Sequence, residues 1–239
     1  DISVVDELPP GRQVIRTDAV DISYRYRIYK FIKKEIAKGR QVYIICPMVE
    51  ESEDNDDLQA VTTYTEKLKQ EIFPDVAVEY LHGKMKAKEK RDIMSDFVDN
   101  KIKILVSTTV IEVGVNVPNA TVMLIENAER FGLAQLHQLR GRVGRGKHQS
   151  YCILINDSKS KVSQERMKVM EKTNDGFIIS ETDLQLRGPG EFFGTRQHGL
   201  PDMKIANLYT DIPLLKSAQT AAQAIVKKDP KLNKIENKN

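Results

Sequence analysis

The chain has 239 residues, 37 of them Lys or Arg and 34 Asp or Glu, for a net charge of +3, with 40% apolar residues, two cysteines and no tryptophan. That length can bury a full core, while the longest apolar runs, 42–46 and 102–106, are far short of the ~20 residues of a membrane helix, and two cysteines with no CxxC spacing exclude a disulfide framework or a zinc site. No basic-then-apolar leader opens the chain, and the expectation is a cytoplasmic piece of a longer protein.

Residues 1–20, with Pro9-Pro10-Gly11, read as an interdomain linker. Ile22, Tyr26, Tyr29, Ile32 and Ile36 then form one helical stripe that stops at Gly39, a favourable residue just past a helix end. The wholly apolar run 42–46 predicts a strand, closed by Pro47. An acidic loop follows, Glu50 to Asp57, holding six acids. A second amphipathic helix carries Leu58, Val61, Tyr64 and Leu68. Next come a strand over 76–81, a helix ending near Phe97 and strands over 102–106 and 121–125. A helix through Leu136 precedes the strand 151–155. Strands apolar on both sides and separated by helices predict a parallel sheet covered on both faces. After Asp157 the period changes, to a helix striped by Val162, Val169 and Met170, a glycine-rich stretch from Gly176 to Gly199 and a last helix with Leu214, Ala218, Ala221, Ala222 and Ile225 on one face. The fold class is therefore α/β to about residue 157, then a mostly helical appendage.

In an open parallel sheet, chemistry collects in loops beyond the carboxyl ends of strands. The unusual residues are placed there by this reading: His82-Gly83, Ser107-Thr108-Thr109, Gly114 to Asn116, and 138–145 (QLRGRVGR). On a helix, Arg142 and Arg145 would share a face and aim two planar guanidinium forks at one anion. Gly141 and Gly144 would each cost about 1 kcal/mol against Ala in that helix, so close backbone approach is the better reason for them. The plainer reading of this segment is a basic patch on a phosphate backbone. His82 reads best as a strand-end residue bonded to backbone, with Gly83 able to let the main chain approach a phosphate. Thr108 and Thr109 suit helix caps as well. Arg166 falls on a packed stripe, where it is either paired, as a buried cation must be, or snorkelling at the stripe's edge. Met167 and Met170 read as packing.

Three of these segments carry a family resemblance. Residues 107–116 (STTVIEVGVN) resemble motif V of superfamily 2 helicases, 138–145 resemble motif VI, and Leu81-His82-Gly83 with Arg91 and Phe97 resembles the stretch ahead of motif V. Beyond them, 174–177 (NDGF), 183–191 (DLQLRGPGE), 194–199 (GTRQHG) and the opening 5–12 (VDELPPGR) resemble the RecG family of branched-DNA helicases. The resemblance implies a RecA-like lobe over 21–157, then a helical hairpin, translocation loop and terminal helix over 158–239. It implies catalytic roles for Arg142 and Arg145 on the γ-phosphate of ATP, and nucleotide contacts from Gly114, Asn116 and Gln138. DNA binding and translocation coupling fall to Gly83, Thr108, Thr109, Arg166, Arg187, Thr195, Arg196 and Gln197, with Arg166 engaging the Thr195 to Gln197 loop. His198 departs from the small residue or Thr common in the family at that place. No G-x-x-x-x-G-K-[ST] occurs in the chain, so there is no phosphate cradle and no hydroxyl for Mg²⁺. ATP with Mg²⁺ would be bound mainly by a P-loop motor lobe elsewhere in the parent, and this piece by itself would be inactive. The implied partners are that lobe and branched double-stranded DNA, with no membrane. The implied work is remodelling of forks and junctions in DNA repair and recombination. The alternatives are a transcription-repair coupling translocase, whose family shares the hairpin, and a nucleic-acid-binding module that is not a motor.

Overall fold

Apolar runs at 41–45, 104–107, 120–125 and 151–155 supply strands whose side chains are buried almost without exception, which requires cover on both faces. A computed structural model describes residues 14–47, 54–108 and 116–192, with 217, 221, 222, 225–227 and 229; within these, the side chains of 54–60, 184 and 187–192 are left aside. The elements run β1 (Arg16–Val20), a short 3-10 turn, α1 (Arg25–Ala37), β2 (Gln41–Ile45), α2 (Asp54–Lys67), a π-turn, β3 (Val78–Leu81), α3 (Ala87–Val98) and β4 (Ile104–Ser107). They continue with β5 (Ala120–Ile125), α4 (Leu133–Arg140), β6 (Tyr151–Ile155), α5 (Lys161–Lys172) and α6 (Gly176–Phe192). Six strands make one sheet in the order β1-β6-β5-β2-β4-β3, and every pairing is parallel.

Alternation along the strands sends neighbouring side chains to opposite faces. Tyr43, Ile45, Leu105, Met123 and Ile125 point one way, against Phe97 of α3, Leu133 and Leu136 of α4, Met167 and Met170 of α5, and Ile179 of α6. Val42, Ile44, Ile104, Val122 and Leu124 point the other way, against Ile28 and Ile32 of α1 and Val61 of α2. The α/β sheet with helices on both faces is as expected, and Met167 and Met170 are core, as expected too.

Several boundaries differ from the sequence reading. Arg16–Val20, taken as linker, is strand β1, paired with β6 from Arg16↔Tyr151 to Val20↔Ile155. Its polar residues suit an edge strand, which has one neighbour and an open side. On α1 the buried positions are Ile28, Ile32 and Glu35, whereas Ile22 is 52% and Tyr26 78% exposed. The buried stripe therefore starts only at Ile28. Gly39 follows α1 with φ +83°, the left-handed conformation expected of a residue past a helix end. The acidic segment is already helical from Asp54. On α5 the buried side runs through Ser163, Met167 and Met170, and Val162 is half exposed. The glycine-rich stretch is helix α6 as far as Phe192. Its buried Ile179 and the adjoining Leu186 pack on α3–α5's side of the sheet, and that packing outweighs the weak helix propensity of Gly188, Pro189 and Gly190.

Two compact units divide the chain at 192/193. The first, Asp1–Phe192, therefore includes the hairpin α5–α6 together with the sheet. In the second, Phe193–Asn239, the described residues include a helical piece at 225–227, with Asp229 N donating to Ile225 O at 2.8 Å. No helix among the described residues is long and apolar enough to cross a membrane.

Candidate functional site

Because all six strands are parallel, every loop lies at either the carboxyl or the amino edge of the sheet. The sequence reading placed every candidate at the carboxyl edge; the fold divides them. Gly83 and Thr108 follow β3 and β4 at the carboxyl edge. Asn116 and the arginine segment lie at the amino edge, because 116–119 lead into β5 and 141–150 lead into β6.

The arginine segment is a loop. Helix α4 ends at Arg140, so Arg142 and Arg145 do not share a helical face. Val143 is wholly buried and pins the loop's middle. Gly144 has φ +76° and its N–H donates to Ser150 Oγ at 3.1 Å, a turn for which glycine is the natural residue. A Cβ on Gly146 would collide with the backbone carbonyl of Pro118. Close approach is thus the reason for Gly146, and it sets the arginine loop against the segment that follows Asn116. Arg145 is exposed, with Nε donating to Gly141 O at 3.1 Å, and Arg142 is half-buried. Burial pushes the Tyr43 phenol's pKa up to about 12, and the Arg145 and Arg142 charges pull against the rise. A guanidinium fork left accessible at the sheet's edge can bind an oxyanion. Asn116, ahead of β5, is exposed, as is Gln138 on α4. Gly114 lies outside the described residues.

At the carboxyl edge Gly83 is exposed, its carbonyl accepts from Lys90 Nζ at 2.7 Å, and an added Cβ would meet nothing within 4 Å. The space over that backbone is open to a partner. His82 Nδ1 accepts from Lys84 N at 3.2 Å and its ring stacks on Tyr80, so the backbone-bonded reading of His82 holds. Burial lowers the pKa of His82 below the ordinary histidine value. Thr108 is buried, its N–H facing Leu81 O at 3.3 Å and its carbonyl accepting from Ser107 Oγ at 2.7 Å. Thr109, Thr195, Arg196 and Gln197 lie outside the described residues, as does the side chain of Arg187. Arg166 is partly buried and Nη2 donates to Phe131 O, just ahead of α4.

Two clusters were missed from sequence. At the switch point, where β2 leads away to β3 and β5 leads away to β6, open α/β sheets usually have a ligand crevice. Here Glu126 fills it: Arg25 Nη1 and Nη2 donate to its two carboxylate oxygens, each at 2.7 Å, and Tyr64 OH donates at 2.6 Å. Tyr29 OH is 3.1 Å from Tyr64 OH. Burial, then the Glu126 charge, drives the Tyr64 phenol far above its ordinary value. The signal in the sequence was one acid ending an otherwise apolar strand, with no hint of its partner 101 residues away. The second missed residue is Arg140. It belongs to the same arginine segment as Arg142 and Arg145, yet it is 1% exposed and points away from them.

Among the described residues no three His, Cys, Asp or Glu side chains gather as a metal site. Residues 26–147 match the family model of the helicase conserved C-terminal domain. Residues 173–239 match that of the ATP-dependent DNA helicase RecG, domain 3, C-terminal. An ATP-dependent DNA helicase RecG of Synechocystis is 54% identical over 232 residues, which is 97% of this chain and 28% of the relative. The one of Bacillus subtilis is 51% identical over 230 residues, 96% of this chain and 33% of the relative. The chain thus spans about a third of the length of the curated relatives it matches. Among solved structures, RecG bound to a three-way DNA junction superposes with a TM-score of 0.68 at 43% identity, covering 88% of this chain and 27% of that one. Domain 2 of a DEAD-box helicase bound to an RNA duplex gives a TM-score of 0.53 at 16% identity, covering 90% of this chain and 79% of that one, a likeness of fold.

Proposed function

This chain belongs to the helicase conserved C-terminal domain family, with residues 173–239 matching the RecG domain 3 model, and from that premise we propose that it is the second motor lobe and translocation hairpin of an ATP-dependent double-stranded DNA translocase. The parent would act on replication forks and Holliday-type junctions in repair and recombination. The relative bound to a three-way junction supports branched DNA as the partner. The match of 173–239 to RecG favours this reading over a transcription-repair coupling translocase. The observation that supports the motor reading is the arginine loop itself, with Arg145 exposed and Arg142 half-buried, packed at Gly146 against Pro118 just after Asn116.

ATP with Mg²⁺, when bound, supplies the phosphoryl chemistry. A P-loop lobe of the same parent would hold most of it. This chain's part is charge: two guanidinium groups that would face the charge of a transferring phosphoryl group. Asn116, Gly114 and Gln138 would border the nucleotide. Gly83 at the opposite edge would meet DNA through open backbone, and Thr108 and Thr109, after the neighbouring strand β4, would belong to the same DNA-facing side. Arg166, Arg187 and the Thr195, Arg196, Gln197 loop would pass motion to the duplex.

In the longer protein, Arg142→Ala should remove most DNA-stimulated hydrolysis, a loss of about 10³-fold or more, with DNA affinity nearly intact. Arg142→Lys should fail too, since the planar fork is lost. ATP turnover and DNA binding measured side by side decide the matter. Weakened binding with turnover spared would identify a basic patch on DNA instead. Gln197→Leu should leave hydrolysis substantial while fork unwinding collapses.

A further inference from the structure

Arg140 heads the fully buried side chains by size. A guanidinium has five N–H donors and cannot shed its charge, so burial requires acceptors close by. Arg140 Nη1 donates to Met170 O at 2.8 Å and to Thr173 O at 2.9 Å, and lies 3.4 Å from Thr17 Oγ1 on β1. The two carbonyls belong to the last turn of α5 and the residue just after it. The final carbonyls of a helix have no N–H within their own helix and carry the negative end of its dipole. A cation lent by α4 therefore caps α5.

Arg140 Nη2 reaches His137 Nδ1 at 3.1 Å, one turn back on α4. Arginine only donates, so Nδ1 must accept, and His137 is held neutral with its proton on Nε2. That nitrogen faces Gly176, the first residue of α6, where an added Cβ would stand 2.9 Å away. The end of α4 is thereby keyed to both helices of the hairpin. Two residues past Arg140 comes Arg142, its N–H still bonded to Leu139 O at 3.0 Å. At the other end of the same helix pair, Arg166 of α5 donates to Phe131 O before α4. One arginine from each helix ties the two together at both ends.

An apolar side chain of similar volume would fill the Arg140 site without burying a charge. What arginine adds is direction: its fork fits one placement of α5 relative to α4. We propose that Arg140 is a positioning residue that locks the root of the Arg142–Arg145 loop to the hairpin turn, so that loop and hairpin shift as one body. Resting on the motor reading above, this gives the arginine segment two tasks, with Arg142 and Arg145 facing the anion and Arg140 facing the hairpin.

The test uses the longer protein with Arg140→Met, Arg140→Lys and, untouched at the arginine, Gly176→Ala, whose methyl would crowd the His137 ring and so disturb its contact with Arg140. DNA-stimulated ATP hydrolysis should stay near wild type, while base pairs unwound per ATP are largely lost. Lysine, lacking the fork, should not rescue. In the present chain, ¹⁵N NMR should show His137 protonated on Nε2 alone, and mixed tautomers in Arg140→Met. If Arg140→Met fails to fold, Gly176→Ala carries the same expectation. Hydrolysis and unwinding falling in parallel, or unwinding per ATP unchanged, in folded variants would overturn the positioning role and leave the motor reading standing. A wild-type parent without DNA-stimulated hydrolysis would overturn both.

Discussion

On the face of the sheet that carries α1 and α2, charged side chains close on one another: Arg25 meets Glu126 through two bonds of 2.7 Å, and Tyr64 completes the set. On the face that carries α3 to α6, arginines reach backbone carbonyls of neighbouring elements instead, Arg140 those of Met170 and Thr173, Arg166 that of Phe131. The first arrangement satisfies donor and acceptor among side chains and fills the crevice where a ligand would otherwise enter. The second fixes whole helices to one another. It also leaves the exposed Arg145 and half-buried Arg142 at the edge for an outside anion. One face is a closed anchor, and the other is built to hold and carry a loop.

The largest effect expected from breaking that contrast is at the anchor. Glu126→Ala should destabilise the chain by about 3 kcal/mol, the low end for breaking a buried pair, because the Arg25 side chain keeps 29% exposure and water can partly reach it. Denaturant unfolding reads this directly. The double variant Arg25→Met with Glu126→Leu should be milder than Glu126→Ala alone, since no charge is then stranded. A double variant as unstable as the single one would show that the network's worth lies in its shape.

A smaller loss is expected at the arginine loop. Gly146→Ala drives a methyl into the Pro118 carbonyl, and backbone cannot yield as a flexible side chain would, so about 1–3 kcal/mol of overpacking cost follows. Gly83→Ala is the control: nothing lies within 4 Å of its Cβ, and its effect on stability should stay within about 0.5 kcal/mol. Equal thermal shifts in the two would refute the close approach at Gly146.

The smallest effect is the titration of His82. Burial, assisted by Lys90 and Lys84 and opposed by Glu89, lowers its folded-state pKa. The unfolded chain then takes up the proton first, so the contribution of His82 is present above the ordinary histidine pKa of about 6.5 and is lost as pH falls through the lower folded value. NMR titration of the ring should show a midpoint below that of an unfolded control. A midpoint at or above it would mean that Glu89 dominates.

Much of the sheet was legible because β2, β4, β5 and β6 lie inside it and are apolar on both sides, a pattern that few other structures produce. Strand β1 escaped because Arg16 and Asp18 face water at an edge, and only pairing with β6 makes it a strand. The phase of α1 was misjudged at Ile22 and Tyr26, since periodicity identifies an apolar side but not where the partner surface ends. At the site, the arginine segment was recognisable from its residues, yet it was placed at the wrong edge, and the helix on which Arg142 and Arg145 would have shared a face stops at Arg140.

By itself the sequence determined the α/β alternation, the helicase kinship and which arginines are candidates for holding an anion, because strand burial and side-chain chemistry are written locally. Tertiary structure alone decided which way each arginine faces. Arg140, Arg142 and Arg145 are the same side chain within six positions, but the end of α4 turns the first into the hairpin and Gly144 turns the chain so that the others stay at the edge. Direction of that kind depends on carbonyls 30 and 33 residues away, at Met170 and Thr173, and no local pattern contains them.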